Sequence, residues 1–352
     1  MLVRRFLLSG SVVLFLTTAF QANSQPVDAS LDGKIGAYQF VGRAQKPWRL
    51  CVSLPHAKDH FYWDVVWGLL EQTREAGVQL GVYQAGGYEP SHMADQKAQI
   101  RSCIQDKADA VLIAAIDSEG LAAEEAELAA KGIATIDLTN DLDGAAVAAH
   151  SHHNFAETGR VAARYVLSIP ASKPLLVGWF PGPDGPRWPT EFEKGIKEVF
   201  ASVPAESRPD LIGAGSAPTD RDSQATLVRR FAANHKPDVI MANAIAAVDA
   251  ARFYARKEER PKIVSLYMTD DVIEEMREGR IDAMVAFEPA DQARIAVDLA
   301  VRVLEHLPHP YLVSVPLRTV TADHIDEYIE RFRSDWPSAR IPLPALPPPP
   351  GH

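Results

Sequence analysis

From Trp48 onward the chain alternates short apolar runs with amphipathic stretches. Arg49 to Leu54 reads as a strand, and 64–76 as a helix with Val66, Leu69, Leu70 and Thr73 on one face and Gly77 as its stop. A strand over 79–83, a Gly86-Gly87 turn, a helix over 91–105, a strand over 110–114, a helix over 121–131 and a strand over 134–138 follow. Apolar strands that alternate with helices make a parallel sheet covered on both faces. After a polar, histidine-rich passage over 150–154 the alternation restarts. Helices over 156–167, 190–200, 224–234 and 246–254 are interleaved with strands over 174–180, 211–213, 239–242 and 263–266. Two such series imply two similar units. A helix over 271–279, a strand-like run over 281–287 and a helix over 290–306 complete the pattern without indicating which unit they join.

In an open parallel sheet a ligand lies beyond the carboxyl ends of the strands. The loops that face a cleft are therefore 56–63, 85–90, the loop at 117, 139–141, 181–188, 267–271 and 287–291.

The ends carry different signals. Arg4 and Arg5 precede an apolar run from Phe6 to Phe20, with small residues at Ala22 and Ser24, so 1–24 reads as a secretory signal peptide. The run is too short for a comfortable membrane span, and no stable membrane insertion is expected after cleavage. At the other end Pro342, Pro344 and the run from Pro347 to Pro350 predict an extended tail over 337–352, outside the folded core.

A chain of 352 residues exceeds what one core usually organises. Its formal charge of −10 becomes two units more negative once Arg4 and Arg5 are removed, which excludes nucleic acid as a partner. Cys51 and Cys103 form an even pair that fits either one disulfide or two buried thiols. Dinucleotide, Walker, nucleophile-elbow and zinc-protease motifs are missing, so no enzyme activity and no cofactor is expected.

The segments Trp48-Arg49-Leu50-Cys51, Lys58-Asp59, Ala85-Gly86-Gly87-Tyr88, Ala98-Gln99-Ile100, Pro181-Gly182-Pro183-Asp184, Ala244-Ile245-Ala246-Ala247 and Ser265-Leu266-Tyr267 carry a serial resemblance. In order and spacing, from Trp48 to Leu307, they are similar to the TorT-like trimethylamine-N-oxide sensors of the type I periplasmic binding protein family. The resemblance implies an α/β fold of two doubly wound parallel-sheet domains joined by crossover strands. One domain would comprise 46–148 with 281–309, the other 149–280 with 310–336. It further implies a periplasmic location, a small-molecule ligand and a TorS-like sensor histidine kinase as partner. A substrate-binding component of an ABC importer shares the fold and is the alternative.

Trimethylamine N-oxide joins a methylated cationic nitrogen to an anionic oxygen, so its pocket needs aromatic faces and hydrogen-bond donors. Carried over from the resemblance, the first aromatic falls on Tyr62, or on Trp63 with a shift of one residue, with Asp59 beside it. Tyr267 takes another place, and Tyr88 follows a Gly-Gly turn that lets it fold over the cleft. Asp184, at a strand tip, is a candidate acceptor or a turn former. Ser151 stands where the group has Trp, so that wall is missing or comes from elsewhere, with Trp179, Trp188 and Phe287 as candidates. Phe61 and Trp67 read as the packed start of a helix. His150, His152 and His153 lack a Cys or carboxylate at a recognised spacing, so they read as a crossover hinge and no metal is expected.

Overall fold

The computed structural model describes residues 25–332 and 341–348. The expected signal peptide lies outside the described residues.

Along the chain β1 (Val27–Leu31) and β2 (Lys34–Tyr38) form a hairpin. Next, β3 (Arg49–Leu54), β4 (Gln79–Gln84), β5 (Ala110–Ile113), β6 (Ala134–Leu138) and β7 (Val147–Ser151) enclose helices α1 (His60–Ala76), α2 (Met93–Gln105) and α3 (Ala122–Ala130). Then α4 (Phe155–Ser168), α5 (Trp188–Ala201), α6 (Arg221–Asn234), α7 (Ala244–Tyr254) and α8 (Asp270–Arg277) alternate with β8 (Leu176–Phe180), β9 (Asp210–Gly213), β10 (Val239–Ala242), β11 (Lys262–Ser265) and β12 (Ala283–Ala286). Finally come α9 (Pro289–Leu304), β13 (Leu312–Ser314), β14 (Arg318–Thr321) and α10 (Ile325–Phe332).

Two sheets result, ordered β2-β1-β13-β7-β6-β5-β3-β4 and β14-β12-β11-β10-β8-β9. Strands β3 to β7 with β13, and β8 to β12, run parallel, whereas β1, β2 and β14 pair antiparallel; β3, β5, β10 and β12 are buried along their whole length, as expected of strands covered on both faces. The chain passes between the units three times, after Ser151, after Ala286 and after Ser314.

These crossings shift the expected boundaries. The run ending in Ala286 pairs with β11 and β14, so it belongs to the second unit, not the first. Conversely β7 and β13 lie side by side in the first sheet, which takes residues to Ser151 and again around 312–314. An apolar strand fits inside either sheet, so its periodicity names no partner. The hairpin Val27–Tyr38, ahead of the expected start, turns at Asp32-Gly33 with φ of 48° and 83°.

The proline-rich tail is corrected too. Its described part docks on β4, the edge of the first sheet: the Val82 amide donates to Pro344 O at 2.9 Å and Arg49 donates to Pro347 O at 2.8 Å. Ile341, Leu343 and Leu346 pack on the first unit's cores. Proline lacks a donor but keeps its carbonyl, so a proline-rich segment can still accept from an edge strand.

Cys51 of β3 and Cys103 of α2 form a disulfide across 52 residues, settling the pair as bonded. Two helix pairs are drawn together by glycine. A Cβ on Gly68 of α1 would stand 2.2 Å from Ala290 O of α9, and one on Gly195 of α5 would stand 1.9 Å from Ala156 O of α4. Each contact sets the middle of one helix against the first turn of the other.

Candidate functional site

Where the strand carboxyl ends of the two units meet, a cavity of about 40 Å³ is enclosed almost entirely by aromatic rings. The first unit contributes Phe61 and Tyr62 from the start of α1 and Tyr88 from the loop after β4. The second contributes Phe155, Trp188, Phe192 and Tyr267, with Phe287 at the second crossing. Trp188 lies 6.5 Å from Tyr88 and 6.0 Å from Tyr267 between ring centroids, and Phe61 lies 5.9 Å from Tyr267 and 6.1 Å from Phe287. These separations are those of interacting rings, so the walls brace one another.

Local sequence explains the placement of α1. Asp59 caps the helix, accepting from the Tyr62 amide at 3.1 Å, and this turns Phe61 and Tyr62 toward the cleft. The side chain of Asp59 lines the cavity and is the carboxylate among its described lining residues. His56 is packed edge-on against Tyr62 and Tyr88, and burial pushes its pKa down against the opposing pull of Asp59.

A polar corner interrupts the aromatic lining. The Tyr62 and Tyr88 hydroxyls are 2.7 Å apart, and the Asn140 amide nitrogen donates to both, at 3.2 and 3.0 Å, and to Ala115 O at 2.8 Å. One of the two hydroxyls donates to the other while Asn140 occupies lone pairs on both, so one phenol proton of the pair is left over for a molecule in the cavity. Burial holds both phenols far above their ordinary pKa, so they remain neutral donors. Asn140 is presented by a loop in which Thr139 and Asp141 both have positive φ, 67° and 60°. For β-branched Thr139 this is strained backbone, of the kind that collects at binding sites.

A second donor comes from His153. Its Nδ1 accepts from Gln292 at 3.0 Å, which places the remaining proton on Nε2, and that buried atom has no hydrogen-bond partner among the described residues. The ring stacks on Phe287 at 3.8 Å, and burial pushes its pKa well down, keeping it uncharged.

The structure thus brings Asp59, Tyr62, Tyr88 and Tyr267 to one cavity. The Tyr267 ring lines it, and burial holds its phenol far above the ordinary pKa. Trp63, Ser151 and Asp184 do not line it. The Trp63 indole donates to Ala57 O at 3.1 Å and its ring packs on His60, because one helix residue beyond Tyr62 rotates the side chain away. Ser151 is buried in β7 and donates to Gln292 O at 2.7 Å, and Asp184 is exposed in its turn. Of the three aromatic substitutes, Trp188 and Phe287 line the cavity, whereas Trp179 is buried in the second unit's core with its indole toward Glu193. Phe61 lines the cavity as well as packing on the core. Sequence reasoning missed Asn140 as a site residue, and it read His153 only as one of a set of hinge histidines that are solvated or face the ligand. The loop 139–141 was legible as cleft-facing, but nothing in the sequence tells which of its side chains turns inward.

Outward of the cavity lies a polar vestibule of about 270 Å³, lined by Lys58, Glu89 and Arg221 among others, and the two spaces share His56, Asp59, Tyr88 and Thr219.

Comparison with known proteins places these features in context. A family model for the periplasmic binding protein domain matches residues 50–307. The periplasmic protein TorT of Escherichia coli K12 is 29% identical over 295 residues, 83% of each chain. An ABC transporter solute-binding protein from Bradyrhizobium sp. BTAi1, solved with bound Bis-Tris, is 30% identical with a TM-score of 0.72, over 94% of this chain and 98% of that one. TorT in complex with the TorS sensor domain, solved in the presence of trimethylamine N-oxide, shares the fold at 21% identity and a TM-score of 0.71, over 84% of this chain and all of that one.

Proposed function

The chain belongs to the periplasmic binding protein domain family and is a periplasmic protein, and we propose that it is a sensor that holds trimethylamine N-oxide, or a related small methylated polar compound, between its two units and signals to the periplasmic domain of a TorS-like histidine kinase. The ligand leaves unchanged.

The carrying observation is the small aromatic cavity with its two spare donors. On a scale where one water occupies about 10–15 Å³ of such space, 40 Å³ accommodates about three waters, or about 90 Å³ of liquid volume. That suits a molecule with a handful of non-hydrogen atoms. The rings attract a methylated cationic nitrogen by about 0.5–2 kcal/mol each at a desolvated face. The Tyr62–Tyr88 hydroxyl pair and His153 Nε2 supply the donors that an N-oxide oxygen needs, and Asp59 adds negative charge for the cationic part. Because the walls come from both units, a bound molecule favours the closed arrangement by its difference in affinity for the two forms, and the altered surface is what a kinase domain would read.

The second reading, a solute-binding component of an ABC importer for a sugar or other small polar solute, is favoured by the polar vestibule and by the bradyrhizobial relative. A thermal-shift panel on the mature protein separates the two, using trimethylamine N-oxide, tetramethylammonium, betaines, sulfoxides, sugars and amino acids. A true ligand stabilises the folded state by mass action. Stabilisation by trimethylamine N-oxide, with pull-down of a histidine kinase ectodomain in its presence, supports the sensor. A sugar that raises the melting temperature while trimethylamine N-oxide at millimolar concentration does not overturns it.

A further inference from the structure

On the far side of the 139–141 loop, four side chains that no sequence spacing links converge at the hinge. His150 ends β7 and His152 follows it, Asp137 lies in β6, and Asp141 closes the loop between the two strands. One ligand atom from each falls within 4.8 Å of all the others. Measured pairwise, His150 Nδ1 is 3.1 Å from Asp137 Oδ2, and His152 Nε2 is 3.8 Å from the same oxygen and 3.6 Å from Asp141 Oδ1. A tetrahedral ion with bonds of about 2.1 Å separates its ligand atoms by about 3.4 Å, close to these values.

The outer contacts hold each group in place, and the one hydrogen bond inside the cluster, between His150 Nδ1 and Asp137 Oδ2, carries a proton that a cation would displace. His152 uses Nδ1 on the His153 carbonyl at 2.8 Å, so in its neutral form Nε2 presents a lone pair to two carboxylates. As a protonated ring it would be too far from either oxygen for a hydrogen bond. Neither form is satisfied by the protein, whereas a cation between the three groups satisfies all of them. A ring nitrogen bonded to a backbone carbonyl is also how metal-binding histidines are usually held. His150 is supported likewise, with Nε2 3.0 Å from the Tyr311 hydroxyl. Asp137 is fully buried and receives the Leu142 amide on Oδ1 at 2.9 Å, leaving Oδ2 inward. Asp141 turns Oδ2 to Arg187 of the second unit at 3.3 Å and keeps Oδ1 for the cluster, while Arg187 also binds Asp143 at 2.6 Å.

We propose that His150, His152, Asp137 and Asp141 form a binding site for a divalent transition-metal cation with a preference for mixed imidazole and carboxylate ligands, of which zinc is the test ion. The site lies where the first crossing leaves the first unit and beside β13, which leads to the third crossing. A cation there fixes both the hinge strand and the loop that carries Asn140. The position is separate from the aromatic cavity and does not depend on what that cavity binds.

The test uses the mature protein, stripped with a chelator and checked for an unchanged far-ultraviolet circular dichroism spectrum. Zinc is titrated against a chromophoric chelator, and cobalt is added separately to read coordination geometry from its visible absorption. One equivalent of zinc, a rise in melting temperature on loading and a tetrahedral cobalt spectrum are expected. His152→Gln and Asp141→Asn, both on the accessible side of the cluster, should each weaken zinc at least about tenfold, given that even supporting residues contribute 10–100-fold. Their metal-free melting temperatures report whether the fold is intact. No retained zinc, or equal zinc affinity in both folded variants and the parent, overturns the proposal. Equal affinity would move the bound ion to another surface group such as Glu89, His92 and Asp95.

Discussion

Replacing Tyr62 by Phe removes one oxygen from the polar corner and leaves the ring in the aromatic wall. The structural cost is small, because Asn140 keeps two acceptors for its two amide protons, Ala115 O and the Tyr88 hydroxyl. No donor on that amide is orphaned, so the loss is that of an ordinary buried hydrogen bond, about 1 kcal/mol, or a few degrees in melting temperature. The effect on ligand is selective. A hydrogen bond to a charged oxygen contributes about 1.5–3 kcal/mol, which is a roughly 10- to 150-fold loss of affinity for trimethylamine N-oxide. Tetramethylammonium has the same methylated nitrogen and no oxygen, so its affinity should change less than about twofold. Isothermal titration of the two ligands against parent and variant, with Tyr88→Phe as a comparison, reads this difference directly. If Tyr62→Phe and Tyr88→Phe each weaken both ligands equally, or neither, the hydroxyl pair is not the donor to the ligand oxygen.

Three further outcomes follow from other parts of the molecule. Replacing Cys51 and Cys103 by Ala should lower stability by about 4 kcal/mol on the chain-entropy account for a bridge spanning 52 residues, read by denaturant unfolding; a loss below 1 kcal/mol would contradict it. Burial lowers the His56 pKa in the folded state, so its neutral form contributes full stability above the unfolded value of about 6.5 and that contribution is lost as pH falls from there toward the folded value. His56→Gln should therefore flatten the fall in unfolding free energy between pH 7 and 5, and an unchanged slope would remove His56 from the account. Truncation after Arg340 removes the hydrogen bonds of Pro344 and Pro347 and bares the β4 edge. It should cost about 2 kcal/mol from those bonds and promote concentration-dependent association, seen by size-exclusion chromatography; a monomer of unchanged melting temperature would refute the role given to the tail.

Much of the architecture was legible because buried parallel strands such as Leu50 to Leu54 are continuous apolar runs bounded by helices. The rule that ligands sit at strand carboxyl ends picked out the loops of Tyr62, Tyr88, Asn140, Trp188 and Tyr267. Unit membership of Ala283–Ala286 and Leu312–Ser314 was not legible, since their partners are selected by tertiary packing and β13 pairs with β7 some 160 residues earlier. At the site, errors were of phase. Tyr62 and Trp63 differ by about 100° around a helix, and Ser151 sits on a strand where alternate residues face opposite sides. The histidines were read as a hinge and not as metal ligands because Asp137 and Asp141 precede them by an irregular interval, and only the β6–β7 pairing brings Asp137 opposite His150.

The three crossings also set an order of assembly. Ser30 pairs with Ser314, and the Tyr38 hydroxyl meets Asp298 across 260 residues, so the first unit cannot close until nearly the whole chain is present. The second unit draws its sheet from 176–321 and has its three central strands, β8, β10 and β11, complete by Ser265. Long-range pairings close late because their loop entropy must be met first. During refolding, amides of β10 should therefore become protected from hydrogen exchange before those of β1, although β1 leaves the ribosome first. A hairpin near the start of the chain thus waits for partners made almost at its end.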